Sequence, residues 1–484
     1  MSQHALKKNH NIHTKAPALP TLPKLLTGID GLDQVTAGGL PKGRTTLVCG
    51  GAGSGKTLLG MEFLLRGILQ YDQGGVCLAF EENSEELAAN FASLGYDIDK
   101  LIAEKKLIID HIDVDRKQMV ETGEFDLDPI FIRLEAAIRA TKAQRVLLDT
   151  LEVLFAGFTN QSIIRSELRR MFHWLKERGV TAVVTCESGM NTLTRHGLEE
   201  YVADCVIMLD HRVNEQISTR RLRIVKYRGT THGTNEYPFL MDRGGITVVP
   251  ITALGLDHAA STERVSTGIA GLDEMMKGNG FYRGSSILIT GTAGTGKSSF
   301  AAFFVNAACE RGESCLYLAF EESPEQILRN MASVGLDLRK WVNKGLLTIR
   351  AVRPTSMGLE SHLAMIYQET TAIKPRIVVM DPITNLIAVG ETSNVKAMLT
   401  RVIDYLKTHA ITAMFTNLIA TGDGYDNTTI GVSSLMDTWI ALHDISEGGY
   451  RHRELRLLKS RGMAHSTYTR FFTFTSEGIV FADI

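Results

Sequence analysis

The sequence reads Gly-Gly-Ala-Gly-Ser-Gly-Lys-Thr at residues 50–57 and Gly-Thr-Ala-Gly-Thr-Gly-Lys-Ser at residues 291–298. Both stretches fit GxxxxGK[ST], and each lies between an apolar, strand-like run and a helical pattern, which is the context that the motif requires. Glycines let backbone N–H groups turn toward an anion at the N-terminus of a helix, where the dipole favours negative charge. The sequence therefore predicts two phosphate-binding loops, each between a strand and a helix.

The residues of the two loops have predictable roles. In this motif the lysine reaches the β- and γ-phosphates and the next hydroxyl binds Mg²⁺, so ATP and Mg²⁺ are the expected cofactors. A chance match in a glycine-rich turn is the alternative, and two hits at equivalent positions argue against it. The predicted nucleotide-binding residues of the loops are Gly53, Ser54, Gly55, Lys56, Thr57, Leu58, Gly294, Thr295, Gly296, Lys297, Ser298 and Ser299, of which Thr57 and Ser298 are also metal ligands.

The loops belong to a longer internal repeat. Residues 27–33 (TGIDGLD) recur as residues 267–273 (TGIAGLD) at nearly the same offset that separates the two loops. A near-constant offset over such distances indicates a tandem duplication of one fold. The predicted domains are a flexible N-terminal arm at residues 1–25, a first copy at 26–250, a linker at 251–262 and a second copy at 263–484.

Each copy alternates short apolar runs with helical patterns. The runs are rich in β-branched residues and do not alternate with polar residues, which is typical of strands buried on both faces of a parallel sheet. We therefore expect an α/β fold in each copy, with a mostly parallel sheet flanked by helices. The predicted strands of the first copy are residues 45–49, 75–80, 145–149 and 180–185, and its predicted helices include residues 58–70 and 167–178.

The composition excludes several classes of protein. Hydrophobic residues make up 44% and charged residues 22%, which excludes wholesale disorder. The 52 Lys and Arg against 54 Asp and Glu give a net charge of −2, so no general attraction to nucleic acid or membrane is expected. The six cysteines form no CxxC pair, which favours buried thiols in a cytoplasmic protein. No apolar stretch approaches the ~20 residues of a membrane span, and residues 1–24 lack the apolar region of a secretory signal.

Two aspartates end apolar strand-like runs downstream of the loops. Asp149 follows Val-Leu-Leu, and Asp381 follows Val-Val-Met. Mg²⁺ prefers hard oxygen ligands, and an acid at the end of a buried strand beside the loop supplies one. A strand-ending aspartate is common by itself, but its place after a phosphate loop in both copies predicts a metal ligand.

Paired glutamates close another strand-like run in each copy. Glu81-Glu82 and Glu321-Glu322 both follow a phenylalanine, and one carboxylate of each pair could deprotonate or orient the attacking oxygen while its neighbour tunes its pKa or binds Mg²⁺. An acidic pair that opens a helix is the alternative, since residues 83–86 and 323–325 resemble helix starts. Recurrence in both copies favours catalysis.

Alternating cations follow near the end of each copy. Residues 226–229 read KYRG and residues 459–462 read KSRG. Cations spaced by two on a strand point in one direction, as required to reach a phosphate. A solvated strand edge protected by charge is the alternative. A ring in which one subunit completes its neighbour's site gives a reason to prefer the phosphate contact.

Taken together, the two phosphate loops, the Phe-Glu-Glu pairs, the run at residues 195–202 (RHGLEEYV) and the block at residues 226–239 (KYRGTTHGTNEYPF) resemble the KaiC family, circadian-clock ATPases of the RecA/DnaB superfamily. The resemblance covers residues 26–480. It implies two RecA-like domains and a homohexamer of two stacked rings, and closed symmetry lets each interface complete one ATP site.

The resemblance also implies roles for individual residues. The first copy resembles the ATP-hydrolysing half, with Glu81 and Glu82 as the catalytic pair. The second resembles the half that transfers the γ-phosphoryl group to its own chain across the subunit interface, with Glu321 at Mg²⁺ and Glu322 as general base. The further nucleotide-binding residues implied are Ser93, and, from the adjacent subunit, Lys226, Arg228, Thr230, His232, Arg453, Lys459, Arg461 and His465.

The phosphoacceptor stretch of the family aligns with residues 430–438. Ser433 and Ser434 match its paired acceptors, and Thr428 lies where a third, transient acceptor would be. Adjacent serines in a glycine-containing loop are otherwise most often turn residues. The resemblance implies autokinase activity at these serines and an autophosphatase activity that returns phosphate to ADP, as in a timing or signalling switch.

The sequence departs from the family pattern in two places. Val334 stands where the family often has an aromatic residue beside adenine, so the resemblance does not carry base stacking to that position. The chain stops at Ile484, where cyanobacterial members continue into a tail that binds KaiA, so we expect no use of KaiA. Binding of a KaiB-like protein to the first copy stays open.

Two other functions are compatible with the same fold, because fold does not determine function. One is a RecA-like DNA motor or repair ATPase, against which stand the near-neutral charge and the lack of an obvious DNA-binding motif. The other is an ATP-assembled signalling scaffold whose phosphorylation state selects a partner. We expect no nucleic acid and no membrane among the partners, and self-association as the principal contact.

Overall fold

The computed structural model describes residues 22–112, 127–155, 161–189, 193–194, 202–214, 217–250, 260–278, 280–419, 430–447, 450–476 and 478–482. Residues 1–21, most of the run at 195–202, most of the linker and Thr428 lie outside these ranges.

The strands of the first copy are β1 (Lys24–Leu25), β2 (Leu40–Pro41), β3 (Thr45–Gly50), β4 (Gly74–Ala79), β5 (Leu107–His111), β6 (Ala143–Asp149), β7 (Thr181–Glu187), β8 (Cys205–Asn214), β9 (Ile217–Tyr227), β10 (Glu236–Asp242) and β11 (Gly245–Val248). Its helices are α1 (Leu32–Val35), α2 (Lys56–Tyr71), α3 (Ser84–Ala92), α4 (Ile98–Ala103), α5 (Asp128–Thr141), α6 (Leu151–Phe155) and α7 (Gln161–Glu177).

The second copy contains β12 (Arg264–Val265), β13 (Phe281–Tyr282), β14 (Ser286–Gly291), β15 (Cys315–Ala319), β16 (Leu347–Ala351), β17 (Ile377–Asp381), β18 (Thr412–Leu418), β19 (Thr438–Glu447), β20 (Tyr450–Ser460), β21 (Arg470–Thr475) and β22 (Gly478–Phe481). Its helices are α8 (Ala270–Met275), α9 (Lys297–Glu310), α10 (Pro324–Ala332), α11 (Arg339–Asn343), α12 (Leu359–Ile373) and α13 (Thr392–Thr408), with 3₁₀ turns at Pro354–Ser356, Ile383–Val389 and Ser433–Leu435.

Each copy forms one nine-stranded sheet with the same strand order. The first sheet runs β11-β10-β9-β8-β3-β7-β6-β4-β5, and the second runs β22-β21-β20-β19-β14-β18-β17-β15-β16. The six strands from β8 to β5 are parallel, and so are the six from β19 to β16, whereas the remaining strands pair antiparallel. The predicted α/β class with a mostly parallel sheet is confirmed in both copies.

The predicted elements of the first copy agree with the structure to within a few residues. The four apolar runs lie in β3, β4, β6 and β7, and the two helical patterns lie in α2 and α7. The strands beside the phosphate loop are buried on both faces, as their continuous apolar sequence requires; every residue of β3 is buried. Apolar side chains pack on both faces of each sheet, which gives each copy its own core.

The repeated TGxxGLD motif is a turn that is held by hydrogen bonds to its aspartate. Asp33 accepts hydrogen bonds from the backbone N–H and the hydroxyl of Thr27, each at 2.8 Å, and Asp273 binds Thr267 in the same way, at 3.0 and 2.8 Å. Gly31 has a φ of 77°, and a Cβ there would lie 1.8 Å from the carbonyl oxygen of Val248. The motif therefore recurs because it holds the start of each copy against its sheet.

Helix α12 of the second copy packs against the antiparallel strands β9, β10 and β11 of the first sheet. Gln368 donates to Asp242 at 2.8 Å and to Thr247 at 3.1 Å, and Arg221 forms an ion pair with Glu360 at 2.5 Å. The two copies are therefore joined by contacts through space as well as by the chain.

All six cysteines are buried thiols. Over the part of the chain that is described, no helix has both the length and the apolar character needed to cross a bilayer.

Candidate functional site

The two phosphate loops have the same backbone geometry. Gly55 and Gly296 immediately precede α2 and α9 with φ of 97° and 101°. A Cβ at Gly296 would lie 2.4 Å from the Phe474 ring, so both the positive φ and the close packing require glycine there. Each loop thus turns sharply from a buried strand into a helix N-terminus, as predicted from the sequence.

The loop lysines fold back over their own loops. The Nζ of Lys56 donates to the carbonyl oxygens of Gly50 and Gly51 at 2.9 and 3.0 Å, and that of Lys297 donates to Gly291 and Thr292 at 2.9 and 2.8 Å. Burial lowers the pKa of Lys297 to about 8, against the opposing effects of three nearby carboxylates. Both ammonium groups are thus held beside the backbone amides that would bind the phosphates.

In the first copy, Asp149 is buried beside the loop. The hydroxyl of Thr185 donates to it. Burial raises the pKa of Asp149, and the nearby Glu81 raises it further, whereas hydrogen bonds from Thr185 and Thr57 lower it. The predicted ligands Thr57 and Asp149 therefore lie close together beside the loop.

The first glutamate pair borders the same space. Glu81 accepts from the Thr150 hydroxyl at 3.0 Å, and Glu82 accepts from the Asn90 amide at 3.3 Å. Burial raises the pKa of Glu82, as do the carboxylates of Asp149, Glu86 and Glu81. Mutual repulsion of carboxylates around one point is the electrostatic setting that a divalent cation relieves.

The second copy repeats this arrangement with different neighbours. Asp381 accepts from the hydroxyls of Thr416 and Tyr317. Burial raises the pKa of Tyr317, and the charge of Asp381 raises it further, whereas a hydrogen bond from Ser298 lowers it. Ser298, Tyr317 and Asp381 therefore meet at one point beside the second loop.

The second glutamate pair lies at this point as well. Glu322 accepts from the Asn330 amide at 3.0 Å. Burial raises the pKa of Glu322, as do Asp381 and Glu321, whereas Asn330 and Arg329 lower it. In both copies the pair precedes the helix N-cap, because Asn83 and Ser323 cap α3 and α10. The acidic pairs therefore lie between strand and helix, outside the helical turns themselves.

The residues present fit a magnesium ion. Each copy offers a hydroxyl after the loop lysine close to a strand-ending aspartate, and P-loop Mg²⁺ takes its remaining ligands from phosphates and water. Within the described ranges no group of three or more His, Cys, Asp or Glu side chains forms a metal cage. Such a cage is not needed for this type of site.

The predicted cation strand of the first copy lies at the opposite edge of the sheet from its own loop. Tyr227 pairs with Cys205, which pairs with Thr46 near the start of β3. The phosphate loop follows the other end of β3, at Gly50, which is about 13 Å from Thr46 along the strand. Lys226, Arg228, Thr230 and His232 are grouped at this far edge.

The second copy repeats this placement. The backbone N–H of Arg461 donates to the carbonyl of Asp437, and that of Asp437 to Ser286 at the start of β14. Lys459 and Arg461 lie at this edge, and His465 follows in the next loop, whereas the second loop begins after Gly291 at the other end of β14.

The serine pair lies at the same far edge. Ser433 and Ser434 form a single 3₁₀ turn before β19. Lys459 donates to the carbonyl oxygen of Ser433 at 2.9 Å, and Arg461 donates to that of Ser434 at 2.7 Å. The structure therefore brings the predicted acceptors together with two of the predicted cations and places both away from the phosphate loop of the same chain.

Arg453 differs from the other predicted cations. It pairs with Asp444 across β19 and β20, its guanidinium lies 5.1 Å from the Phe474 ring, and that ring borders Gly296. Arg453 is therefore beside its own phosphate loop. Arg220 has the corresponding position on β9, paired with His211, and was missed by the sequence reasoning. Alignment of the two cation strands residue by residue would have found it.

The predicted residue Ser93 and the departure Val334 lie at the ends of α3 and α10. The Ser93 hydroxyl donates to the carbonyl of Asn90 at 2.7 Å at the end of α3, and the counterpart Ser333 does the same with Asn330. Val334 follows Ser333 and is half-buried. The C-terminal end of each short helix thus has the same serine-to-carbonyl hydrogen bond in both copies.

The family model for the KaiC ATPase matches residues 25–253 and 265–484. The chain belongs to the KaiC family. It is 54% identical to the circadian clock protein KaiC2 of Synechocystis sp. (strain ATCC 27184 / PCC 6803 / Kazusa) over 461 residues, 95% of this chain and 81% of the relative.

Two further members of the family are less similar. The circadian clock oscillator protein KaiC of Parathermosynechococcus lividus is 38% identical over 466 residues, 96% of this chain and 86% of the relative. That of Synechococcus elongatus (strain ATCC 33912 / PCC 7942 / FACHB-805) is 37% identical over 461 residues, 94% and 88% of the two chains. The resemblance deduced from the sequence is thus confirmed, and the chain is a KaiC-like, nucleotide-binding P-loop ATPase with two RecA-like copies.

Proposed function

We propose that this KaiC-like ATPase hydrolyses ATP in its first copy and that its second copy is an autokinase and autophosphatase acting on Ser433 and Ser434. The proposed assembly is a cytoplasmic homohexamer with Mg²⁺·ATP at each subunit interface, acting as a timing or signalling switch. Each ATP would be held by the phosphate loop of one subunit and approached by the cation strand of the next.

The observation that carries this proposal is the separation of donor and acceptor within one chain. The second phosphate loop follows Gly291 at one edge of the sheet, and the serine pair lies with Lys459 and Arg461 at the other edge. Across about 16 Å a serine hydroxyl cannot attack the ATP of its own chain. In the proposed ring the far edge of one subunit would face the loop edge of the next, which would allow transfer between subunits.

The proposed step uses the residues already described. The hydroxyl oxygen of Ser433 or Ser434 attacks the γ-phosphorus, its proton passes to Glu322 of the subunit that holds the ATP, and the bond to the β–γ bridging oxygen breaks, which releases ADP. Bound Mg²⁺ would supply charge neutralisation for the phosphates. Lys297 would stabilise the charge on the phosphates, and Lys459 and Arg461 would orient the acceptor turn.

A mixing experiment tests this proposal. Glu322→Gln removes the base from an otherwise intact chain, and the double substitution Ser433→Ala with Ser434→Ala removes the acceptors but keeps the base. Neither variant alone is expected to form phosphoserine with ATP and Mg²⁺. In co-assembled rings, verified by native mass spectrometry, the Glu322→Gln chain is expected to become phosphorylated, and intact mass distinguishes the two chains.

Wild-type chains that form no phosphoserine would overturn the autokinase. Phosphorylation of wild type with none in verified mixed rings would replace transfer between subunits with transfer within one chain. ATP hydrolysis stimulated by DNA in a salt-dependent way would instead favour the DNA motor.

A further inference from the structure

A cavity lies at the junction of the two copies. Its volume is about 550 Å³, which is within the range of small-molecule sites. The first copy contributes Val35 and Pro250 to its lining, and the second contributes Tyr367, Tyr405 and Ile411. All of these except Pro250 are buried. No residue of either phosphate loop, both of which are described in full, lines the cavity. The interior is therefore apolar and aromatic, has room for a fused ring, and is separate from the nucleotide sites.

Basic side chains border the opening of this cavity. Lys374, Arg376 and His409 belong to the lining and are exposed to solvent. The ring of His409 packs against that of Tyr405, with 4.4 Å between the centroids. Within the described ranges, the side chains of Lys374 and Arg376 form no hydrogen bond or ion pair. No Asp or Glu is among the described residues that line the cavity, so its opening carries positive charge without an internal counter-ion.

Two acids lie near the cavity but outside its lining. Asp30 is within electrostatic range of Tyr367 and is exposed to solvent. Glu263 is within electrostatic range of Arg376, but its carboxylate forms an ion pair with Arg283 at 2.8 Å. Neither acid therefore occupies the space in front of the basic side chains.

The first copy has corresponding helices, which allow an internal comparison. Lys142 follows α5 and Lys374 follows α12, each with a φ of 51°. Seven residues before these lysines stand Glu135 in the first copy and Tyr367 in the second. An acid of the first copy is thus replaced by a tyrosine at the cavity of the second.

In the first copy the charges beside these helices are paired within the chain. Arg178 forms an ion pair with Glu135 at 2.8 Å, and Arg170 forms one with Asp128. Both pairs line a groove between α5 and α7. The second copy keeps basic side chains at its cavity but places no acid in the lining, so a balancing anion has to come from outside the chain.

We propose that the cavity between the copies binds a small aromatic acid, with its ring against Tyr405 and Tyr367 and its carboxylate at Lys374 and Arg376. Such a pocket combines an apolar interior with a few polar groups that fix orientation, and a guanidinium group matches a carboxylate in shape and charge. Because both copies line the cavity, the bound acid contacts both. The site goes beyond the proposed ATPase and autokinase and does not depend on either.

The test measures equilibrium dialysis of two probes, 2-naphthoate and its neutral analogue 2-naphthamide, against the full-length chain at pH 7.5. A saturating non-hydrolysable ATP analogue with Mg²⁺ fills the phosphate-loop sites, so neither probe is measured there. Wild type is expected to bind 2-naphthoate at one saturable site per chain. Its affinity for 2-naphthoate should exceed that for 2-naphthamide by about three- to tenfold, because each exposed charge contributes modestly.

Two variants examine the opening and the interior separately. Lys374→Gln with Arg376→Gln removes both charges at exposed positions, and it should weaken 2-naphthoate about three- to tenfold while leaving 2-naphthamide within about twofold of wild type. Thr371 lines the cavity from an exposed position of α12, so Thr371→Trp places an indole in the space that the ring would take. It should weaken both probes at least about tenfold.

Lys142→Gln is the matched control. Lys142 has the same backbone conformation as Lys374, is exposed, and follows the corresponding helix of the first copy. Its affinities for both probes should stay within about twofold of wild type. Circular dichroism melting curves of all variants verify that each chain is folded.

The outcomes decide the site independently of the proposed function. Wild type without saturable 2-naphthoate binding would overturn it, and equal affinities for the two probes would overturn the assignment to an acid. Unchanged 2-naphthoate affinity in the double variant or in Thr371→Trp would place the probe elsewhere and overturn the site as well. Phosphoserine formation enters none of these measurements, so a failure of the autokinase leaves them unaffected.

Discussion

The two phosphate sites share a backbone and differ in the side chains around the strand-ending aspartate. Asp149 and Asp381 end corresponding strands, and each accepts from a threonine of the neighbouring strand. At the position two residues before Ala79 and Ala319, however, the first copy has Cys77 and the second has Tyr317, whose hydroxyl binds Asp381. The second aspartate therefore has a phenol as hydrogen-bond donor where the first copy has a thiol.

The side chains that contact the second glutamate of each pair, Glu82 and Glu322, also differ between the copies. Burial and the carboxylates of Asp149, Glu86 and Glu81 raise the pKa of Glu82, whose hydrogen-bond donor is the Asn90 amide at 3.3 Å. In the second copy Asn330 and Arg329 oppose the same effects on Glu322. The comparison shows that the two copies share the phosphate-loop backbone and differ in the side chains around their carboxylates. Three predictions test how far the two sites are distinct.

The largest expected effect comes from the loop lysines. Lys297→Ala should lower phosphoserine formation at least about a hundredfold, because the ammonium group neutralises charge on the transferred phosphoryl. Lys56→Ala should lower ATP hydrolysis more than phosphoserine formation. Intact mass and released phosphate, measured on the same samples, check both. Equal losses of both activities in the two variants would mean that ATP hydrolysis and phosphoserine formation do not belong to separate copies.

A smaller effect is expected from pH. Burial lowers the pKa of Lys297 to about 8, and ATP binding favours the charged amine, so binding takes up a proton above that pH. In a Lys56→Ala background, affinity of the second copy for a fluorescent ATP analogue should hold steady below pH 8 and fall above it, approaching about tenfold per pH unit.

Adding Lys297→Arg to that background provides the control for this titration. Arginine stays charged throughout the range, so its affinity should be weaker but nearly independent of pH up to 9.5. A flat profile with lysine in place would contradict the buried, partly neutral amine.

The smallest effect concerns the tyrosine that distinguishes the second site. Tyr317→Phe removes one hydrogen bond to a buried carboxylate and should cost about 1–3 kcal/mol in the local free energy of opening. Hydrogen exchange followed by mass spectrometry should show faster exchange in peptides covering β15 and β17 and no change in those covering β4 and β6.

Tyr282→Phe is the matched control, since the Tyr282 hydroxyl donates at 3.3 Å to a backbone oxygen in an exposed position. Its effect should stay within about 0.5 kcal/mol. Identical exchange in Tyr317→Phe and wild type would show that the phenol contributes nothing to the aspartate.

Much of the fold was predictable because its strands are buried on both faces. Continuous apolar runs identified β3, β4, β6 and β7, and the Gly-rich motif located the loop between β3 and α2. The boundaries shifted by a few residues, since helices begin at the loop lysines through backbone hydrogen bonds that apolar spacing does not reveal. The antiparallel strands beyond β8 were not predicted as part of the same sheet.

The candidate site was only partly predictable. The sequence also allowed the Glu81-Glu82 pair to be interpreted as the opening of a helix. In the structure Asn83 and Ser323 are the N-caps of the helices, so both acidic pairs lie before the helices begin. Arg453 was grouped with Lys459 and Arg461, yet it lies at the other edge of the sheet, and Arg220 was missed. Distances along a strand several residues long decide such placements, and spacing alone does not give the direction of the strand.

The sequence by itself determined the duplication, the two phosphate loops, the acidic residues that follow them and the family, because each depends on residue types at short, fixed spacings. Only the tertiary structure decided which side chains meet. Strand pairing brings Tyr317 to Asp381 across 64 positions and holds Ser433 beside Lys459 at the edge opposite the phosphate loop. The physical reason is that in a parallel sheet each strand presents its two ends to opposite edges, so residues close in sequence to a strand's start are kept a full strand length from its end.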